Sequence, residues 1–307
     1  MAALNELSDD ERIIIVMGPT GVGKTTFINR ISNRGDRGVG HSIESCTSEV
    51  SLINVEHTVH GSKVVLVDTP GFDDTYTSDI EILTKIASFL VKVYKKNLKL
   101  DRILYLHRIM DLRMTGSLLK NLKLFVSLCG IQSMPTVTIV TTMWERVDEK
   151  EGDARELELK QKMWFDMIEK GCEVKRFHGT YQSALDILAG PRTVEAPLVS
   201  TEIVTQQKKL KATAAGNELA KEIKSLIKQR KAASRKLRAL SSQSTSEEEK
   251  KTLEQELNET NQKLMKANEQ HAVLKRTIFE RLFGPKPEVS LVPQVGSTLS
   301  AGTTMEN

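Results

Sequence analysis

The chain has 307 residues, 39% of them hydrophobic and 27% charged, with a formal net charge of +4. That is enough to bury an α/β core of about 150–200 residues with a further element attached, and too weakly basic to call for nucleic acid as a partner. Cys46, Cys129 and Cys172 are far apart and odd in number, which excludes a disulfide framework or a CxxC zinc site and fits a reducing, cytoplasmic setting; the longest apolar runs are strand-sized, so no transmembrane segment is expected.

Residues 1–11 read as a flexible acidic leader without the apolar core of a signal peptide. Arg12 to Met17, apolar after its first residue, reads as a buried strand, and Thr26 to Ile31 as a helix. Between them, Gly18-Pro19-Thr20-Gly21-Val22-Gly23-Lys24-Thr25 fits G-x-x-x-x-G-K-[ST] in the strand–loop–helix setting that motif requires. Glycines let the backbone wrap an anion so that several N–H groups converge on it, and the helix behind adds its positive end. The phosphate-binding set is therefore Gly18, Thr20, Gly21, Val22, Gly23, Lys24, Thr25 and Thr26. Lys24 is expected on the β/γ-phosphates and the Thr25 hydroxyl on Mg²⁺.

A glycine-rich stretch, 33–40, runs on to Thr47 and reads as a mobile loop. An alternating segment, 49–59, then pairs through a hairpin at His60-Gly61-Ser62 with the buried run 63–67, which ends on Asp68-Thr69-Pro70-Gly71. An acid at the end of a strand beside a phosphate loop suits Mg²⁺, held through water, and assigns Asp68 to the metal. Gly71, lacking a side chain, can set its N–H against a γ-phosphate.

The order GxxxxGKT, threonine-bearing loop, hairpin strand and DTPG resembles the translation-factor class of P-loop GTPases. Within that class it is similar to the septin-like branch that includes the AIG-type and chloroplast-import GTPases. The stretches Tyr105 to Ser117 and Val140 to Trp144 resemble a set of uncharacterised fungal G-domain proteins with a C-terminal coiled coil. The resemblance covers residues 12–190. It implies that GTP and GDP are the ligands and that Thr47 is the switch threonine on Mg²⁺; the plain alternative for Thr47 is a hydroxyl at a strand start.

Residues 79–96 and 117–129 each show an apolar helical face, separated by a strand at 102–106. Arg108 and Arg113 follow that strand, where ligands bind in such sheets; each either meets a phosphate or a second subunit, or forms a surface pair. The next strand, 136–141, leads to Thr142-Met143-Trp144-Glu145, where most GTPases carry N/T-K-x-D. Both the Lys and the Asp are replaced. Trp144 packs against a base or simply packs in the fold, and a substitute role for the Glu145 carboxylate does not follow from the residues; guanine rests on the resemblance. Thr142, Trp144 and His178, the last where this class closes over the base, are the base-region candidates. A charged helix over 150–170, a short strand 172–177 and a helix 181–188 complete the domain, and 191–204, with its prolines, reads as a linker.

From Thr205 the texture is helical. Leu219, Ile223, Leu226, Arg230, Ala233, Leu237 and Leu240 fall on a heptad seam. Ser241 to Ser246 breaks it, and Leu253, Leu257, Leu264, Ala267, Leu274 and Ile278 resume it. Residues 221–240 hold eight basic side chains and one acidic, and 246–260 six acidic and two basic. This complementarity favours an antiparallel hairpin over 205–283, with a parallel dimer as the alternative. Residues 284–307 read as a disordered tail.

The fold class expected is thus α/β, a three-layer P-loop NTPase with a mostly parallel sheet, followed by a coiled-coil hairpin. The function expected is a Mg²⁺-dependent GTP-binding protein, slow as a GTPase because Phe72 follows DTPG where a water-positioning glutamine would stand. It would act as a switch or assembly protein, through a homodimer or another protein partner. Two alternatives stand beside it: a non-hydrolysing nucleotide-binding scaffold, and an ATPase, against which the chain shows no LSGGQ-like signature.

Overall fold

The computed structural model describes residue 7, residues 11–32, 49–59, 61–74, 77–111, 115–190 and 196–241, and much of 251–265. Six strands make one sheet in the order β2-β3-β1-β4-β5-β6. They are β1 (Arg12–Met17), β2 (Ser51–Val59), β3 (Ser62–Asp68), β4 (Leu100–Arg108), β5 (Val137–Thr142) and β6 (Glu173–Arg176). All neighbours run parallel except the β2–β3 hairpin. A parallel strand needs a crossover, and the helical stretches between strands supply it. The helices are α1 (Lys24–Ile31), α2 (Asp79–Lys95), α3 (Gly116–Cys129), α4 (Glu149–Lys162), α5 (Phe165–Glu169), α6 (Tyr181–Leu188), α7 (Leu198–Val204) and α8 (Ala214–Ser241).

The all-apolar reading of β1 follows from having both faces covered. Ile14 and Val16 point into one core with Phe27, Ile28 and Ile31 of α1 and Ala184, Ile187 and Leu188 of α6. Ile13, Ile15 and Met17 point into the other, with Ile82 and Ile86 of α2, Leu124 and Phe125 of α3, and Val199 and Ile203 of α7. Local signals set the helix starts: Ser78 accepts from the Glu81 N–H, and Thr115 from the Leu118 N–H.

Two elements differ from their sequence expectation. The stretch 150–170 is two helices, with Trp164 between them and fully buried, while Leu157 is 55% exposed. What α4 buries is Glu156, held by Arg176 and Lys160: an ion-paired inner face that hydropathy alone reads as an outer one. The presumed linker contains α7, whose Val199 and Ile203 lie in the main core. Buried Glu202 accepts from the Ala214 N–H and from Lys208, tying the start of α8 to the domain. The packed body therefore continues past residue 190, to Leu219.

The heptad seam falls largely on side chains outside the described set. Among the described residues, 257–262 are helical, and Leu257 and Asn261 share a cleft with Arg230, Lys231, Ser234 and Arg235 of α8. No helix among the described residues is long and apolar enough to cross a membrane.

Buried His107, edge-on to Trp164 at 5.3 Å, sets an acid limit on stability. Burial pushes its pKa down to about 4, and the nearby Asp111 and Arg108 pull in opposite directions. Between 6.5 and 4 the unfolded chain binds a proton that the native chain refuses, so stability falls as pH falls through that window. The expected loss is about 2 kcal/mol by pH 5, measured by urea unfolding across pH and absent from a His107→Phe variant.

Candidate functional site

The phosphate loop leaves β1 at Gly18. Its φ is 142°, and a Cβ there would stand 2.7 Å from the Leu106 carbonyl oxygen, so only glycine lets the loop pass this close to β4. Val22 is fully buried in the core beneath α1 and anchors the loop. Gly23, in the left-handed region, caps α1, whose first residues are Lys24, Thr25 and Thr26. The loop's outer residue Gly21 is exposed, and Thr25 and Thr26 are half-buried.

Lys24 is buried, and its ammonium donates to the carbonyls of Gly18 (3.1 Å) and Pro19 (2.9 Å). Burial lowers its pKa to about 8, against the opposing fields of Asp68 and Asp74. A desolvated cation with only neutral acceptors is costly unless a strong anion arrives.

The other wall is the turn after β3. Asp68 ends that strand and is buried, and the Thr69 hydroxyl donates to the Val16 carbonyl (2.7 Å). Phe72 forms a parallel bridge with Pro19, and its carbonyl takes the Thr20 N–H (2.8 Å). The Thr20 hydroxyl donates to the Gly71 carbonyl (3.3 Å). A Cβ on Gly71 would lie 2.6 Å from the Thr20 hydroxyl and 2.7 Å from the Lys24 Nζ; the turn closes on the loop only because residue 71 lacks one. Gly71 thus sits beside Lys24. In this arrangement, however, its carbonyl faces Thr20, and Lys24 is drawn back onto its own loop.

A cleft of about 390 Å³ continues from the loop, lined by Gly23, Thr26 and Arg30, by Thr142, Met143, Glu145 and Arg146, and by Phe177, His178 and Gly179. Three separate elements converge here: α1, the turn after β5 and the turn after β6. Thr142 is held by donating to the Val22 carbonyl (2.8 Å), which couples cleft and loop. Glu145 brings a carboxylate to the cleft, 3.6 Å from the Arg146 guanidinium. Two of the base-region candidates, Thr142 and His178, line this space.

Trp144 does not. Its indole N–H donates to the Thr141 hydroxyl (3.1 Å), and the Arg176 guanidinium lies 4.2 Å from the ring centroid. The opposite edge fits against Gly152, where a Cβ would stand 2.7 Å from the ring. Cation–π stacking and the space over Gly152 turn the ring inward, so it braces the segment. Arg30, Met143 and Arg146 were not foreseen as lining residues; Arg30 follows Thr26 by four positions on α1, the helical spacing that signals a shared face. Thr47 and Arg113 lie outside the described residues.

Thr25 and Asp68 offer a hydroxyl and a carboxylate, the hard oxygen donors that Mg²⁺ prefers, and Asp68 lies within electrostatic reach of Lys24. The donor set therefore fits that ion, with phosphate oxygens completing the shell.

Residues 13–141 match the model of the 50S ribosome-binding GTPase family. Over 129 residues the chain is 32% identical to translocase of chloroplast 90 from Arabidopsis thaliana; the match covers 42% of this chain and 16% of that protein. Similar solved structures include Toc33 from Arabidopsis thaliana in complex with GDP and Mg²⁺ (15% identity, TM-score 0.42, 67% of this chain and 88% of that one). They also include a variant of Era from Aquifex aeolicus bound to GDP and AlF4⁻ (16% identity, TM-score 0.42, 58% and 54%). With the family match running from β1 into β5, and with the phosphate loop and the DTPG turn in place, the chain has the α/β fold of P-loop GTPases.

Proposed function

We propose that this protein is a Mg²⁺-dependent guanine-nucleotide switch or assembly protein, slow to hydrolyse GTP alone and completed by a second copy or another protein. The observation that carries the reading is the continuity of the phosphate loop with a cleft holding Glu145. A ligand spanning both would place its polyphosphate on Lys24 and the loop N–H groups. Its base would then lie between Thr142 and His178, with Glu145 accepting from the base's N–H groups. Thr25, Asp68 and Thr47 would hold Mg²⁺, which supplies charge neutralisation at the phosphates.

Slow unaided hydrolysis follows from Phe72. Its side chain is fully buried, so the position after DTPG offers no polar group to orient a water. Single-turnover phosphate release tests this directly. A rate that rises at least about tenfold with protein concentration supports activation by a second copy. Release that stays at the solution background at every concentration favours the alternative, a scaffold that binds nucleotide without cleaving it.

The order of motifs supports placing the domain in the septin-like, AIG-type branch. For the C-terminal arm we propose an antiparallel hairpin: the cleft that Leu257 and Asn261 share with Arg230 and Ser234 of α8 suits a chain that folds back, and the basic and acidic halves would then lie side by side. Assembly through this arm and residence in the cytoplasm belong to the same proposal.

A further inference from the structure

The base-reading segment has an unusual gap in its charge. The N/T-K-x-D pattern would put a lysine at position 143, and this chain has Met143, in the left-handed conformation with φ of 62° and facing the cleft. The neighbouring strand ends on a cation. Arg108 ends β4 and is paired in register with Thr142 of β5, the residue that couples cleft and loop.

Asp111 grips this arginine in a fork: Nε donates to Oδ2 (3.1 Å) and Nη2 lies 3.1 Å from Oδ1. A bidentate carboxylate fixes the plane of a guanidinium, and so also fixes where its remaining donors point. The remaining group, Nη1, lies 3.7 Å from where a Cβ of Gly21 would stand, and among the described residues it has no hydrogen-bond partner. The side chain is one-third exposed, open to a ligand from the loop side.

Gly21 belongs to the phosphate cradle, and Thr142 belongs to the cleft. Arg108 therefore stands where the two compartments join. A nucleotide occupying both must lay its ribose and first phosphate across this junction. We infer that Arg108 is a nucleotide-binding residue whose free Nη1 takes a sugar or phosphate-ester oxygen at the join, with Asp111 as its positioning residue. The inference rests on the reading that one nucleotide spans loop and cleft. A charged donor held in advance by a neighbour loses little freedom on binding, which is why a single arginine at such a place has a measurable effect.

The test is the dissociation rate of a fluorescent GDP from the full-length protein, by stopped flow, for the wild type and for Arg108→Met, Arg108→Lys and Asp111→Asn, with nucleotide-free melting recorded alongside. Arg108→Met is expected to release GDP about tenfold faster. Arg108→Lys should recover part of that loss, because the charge remains and the fork does not. Asp111→Asn should fall between wild type and Arg108→Met. Melting of nucleotide-free Arg108→Met should stay within about 3 °C of wild type, since a partly exposed ion pair contributes little to stability. Unchanged release from Arg108→Met overturns the inference. So does a lowered melting point that accounts for the faster release, or an effect that appears only at protein concentrations where a second copy binds. If the wild type itself retains no guanine nucleotide, the proposed function falls, and this inference with it.

Discussion

Replacing Lys24 by methionine is expected to weaken guanine-nucleotide binding by at least about 100-fold while leaving the nucleotide-free protein no less stable. The two halves of this result come from one geometry. Among the described residues the buried ammonium has only the Gly18 and Pro19 carbonyls as acceptors, and its pKa is driven down by burial. That is an unfavourable place for a cation, partly offset by Asp68 and Asp74. Methionine fills the same volume without the desolvation cost, so urea unfolding of nucleotide-free Lys24→Met should show stability equal to wild type or higher by about 1 kcal/mol. With nucleotide present the order reverses. On the proposed reading a polyphosphate is the ammonium's partner, and two or more charge-assisted hydrogen bonds would be lost with Lys24. Isothermal titration with GDP checks the first half. A variant that binds GDP within threefold of wild type would remove Lys24 from the site.

How much of this was readable beforehand depends on whether a feature is local or assembled. β1, the phosphate loop and α1 are contiguous, and the change from an apolar run to glycines to a 3.6-residue period marks each border. DTPG was legible for the same reason. Its closure on Thr20 was not, because the Thr20–Phe72 contact joins residues 52 apart and no periodicity encodes it. Trp144 shows the limit most clearly. An aromatic ring at a base-reading segment invites a stacking role, yet the ring's direction is decided by Arg176 and by the absence of a side chain on Gly152. The α4 face misled for a related reason: Glu156 lies inside because Arg176 arrives from β6, with Lys160 one turn along the same helix. Density of proline and glycine argued for a linker before α7, where the deciding fact is that Val199 and Ile203 fit a groove between α2 and α3.

Glu145 carries the second large effect, on which base is chosen. N/T-K-x-D ends in an aspartate that accepts two hydrogen bonds from guanine, and here position 145 is the carboxylate bordering the cleft. Glutamate is one methylene longer, and the turn that presents it is itself altered: Met143 is left-handed, and Trp144 is locked inward by Thr141, Arg176 and Gly152. Fixing Trp144 fixes the backbone of the next residue, so the longer side chain starts from a set position. Guanine offers two adjacent N–H donors to such a carboxylate, whereas adenine turns a ring acceptor toward it, which the negative charge repels. Discrimination of this kind is strong because the wrong base leaves a charged group unpaired. Glu145→Ala is therefore expected to lose about 100-fold in GDP affinity and to gain slightly or stay level for ADP, collapsing the preference. Glu145→Gln should lose nearly as much, since an amide keeps the shape but presents only one acceptor. Glu145→Asp, shorter by the methylene that this turn requires, should retain a preference for guanine at reduced affinity. Competition of GDP against ADP for a fluorescent nucleotide reads all four proteins on one scale. Wild-type protein that exchanges the two bases equally would show that Glu145 does not read the base and would return the ATPase alternative to first place.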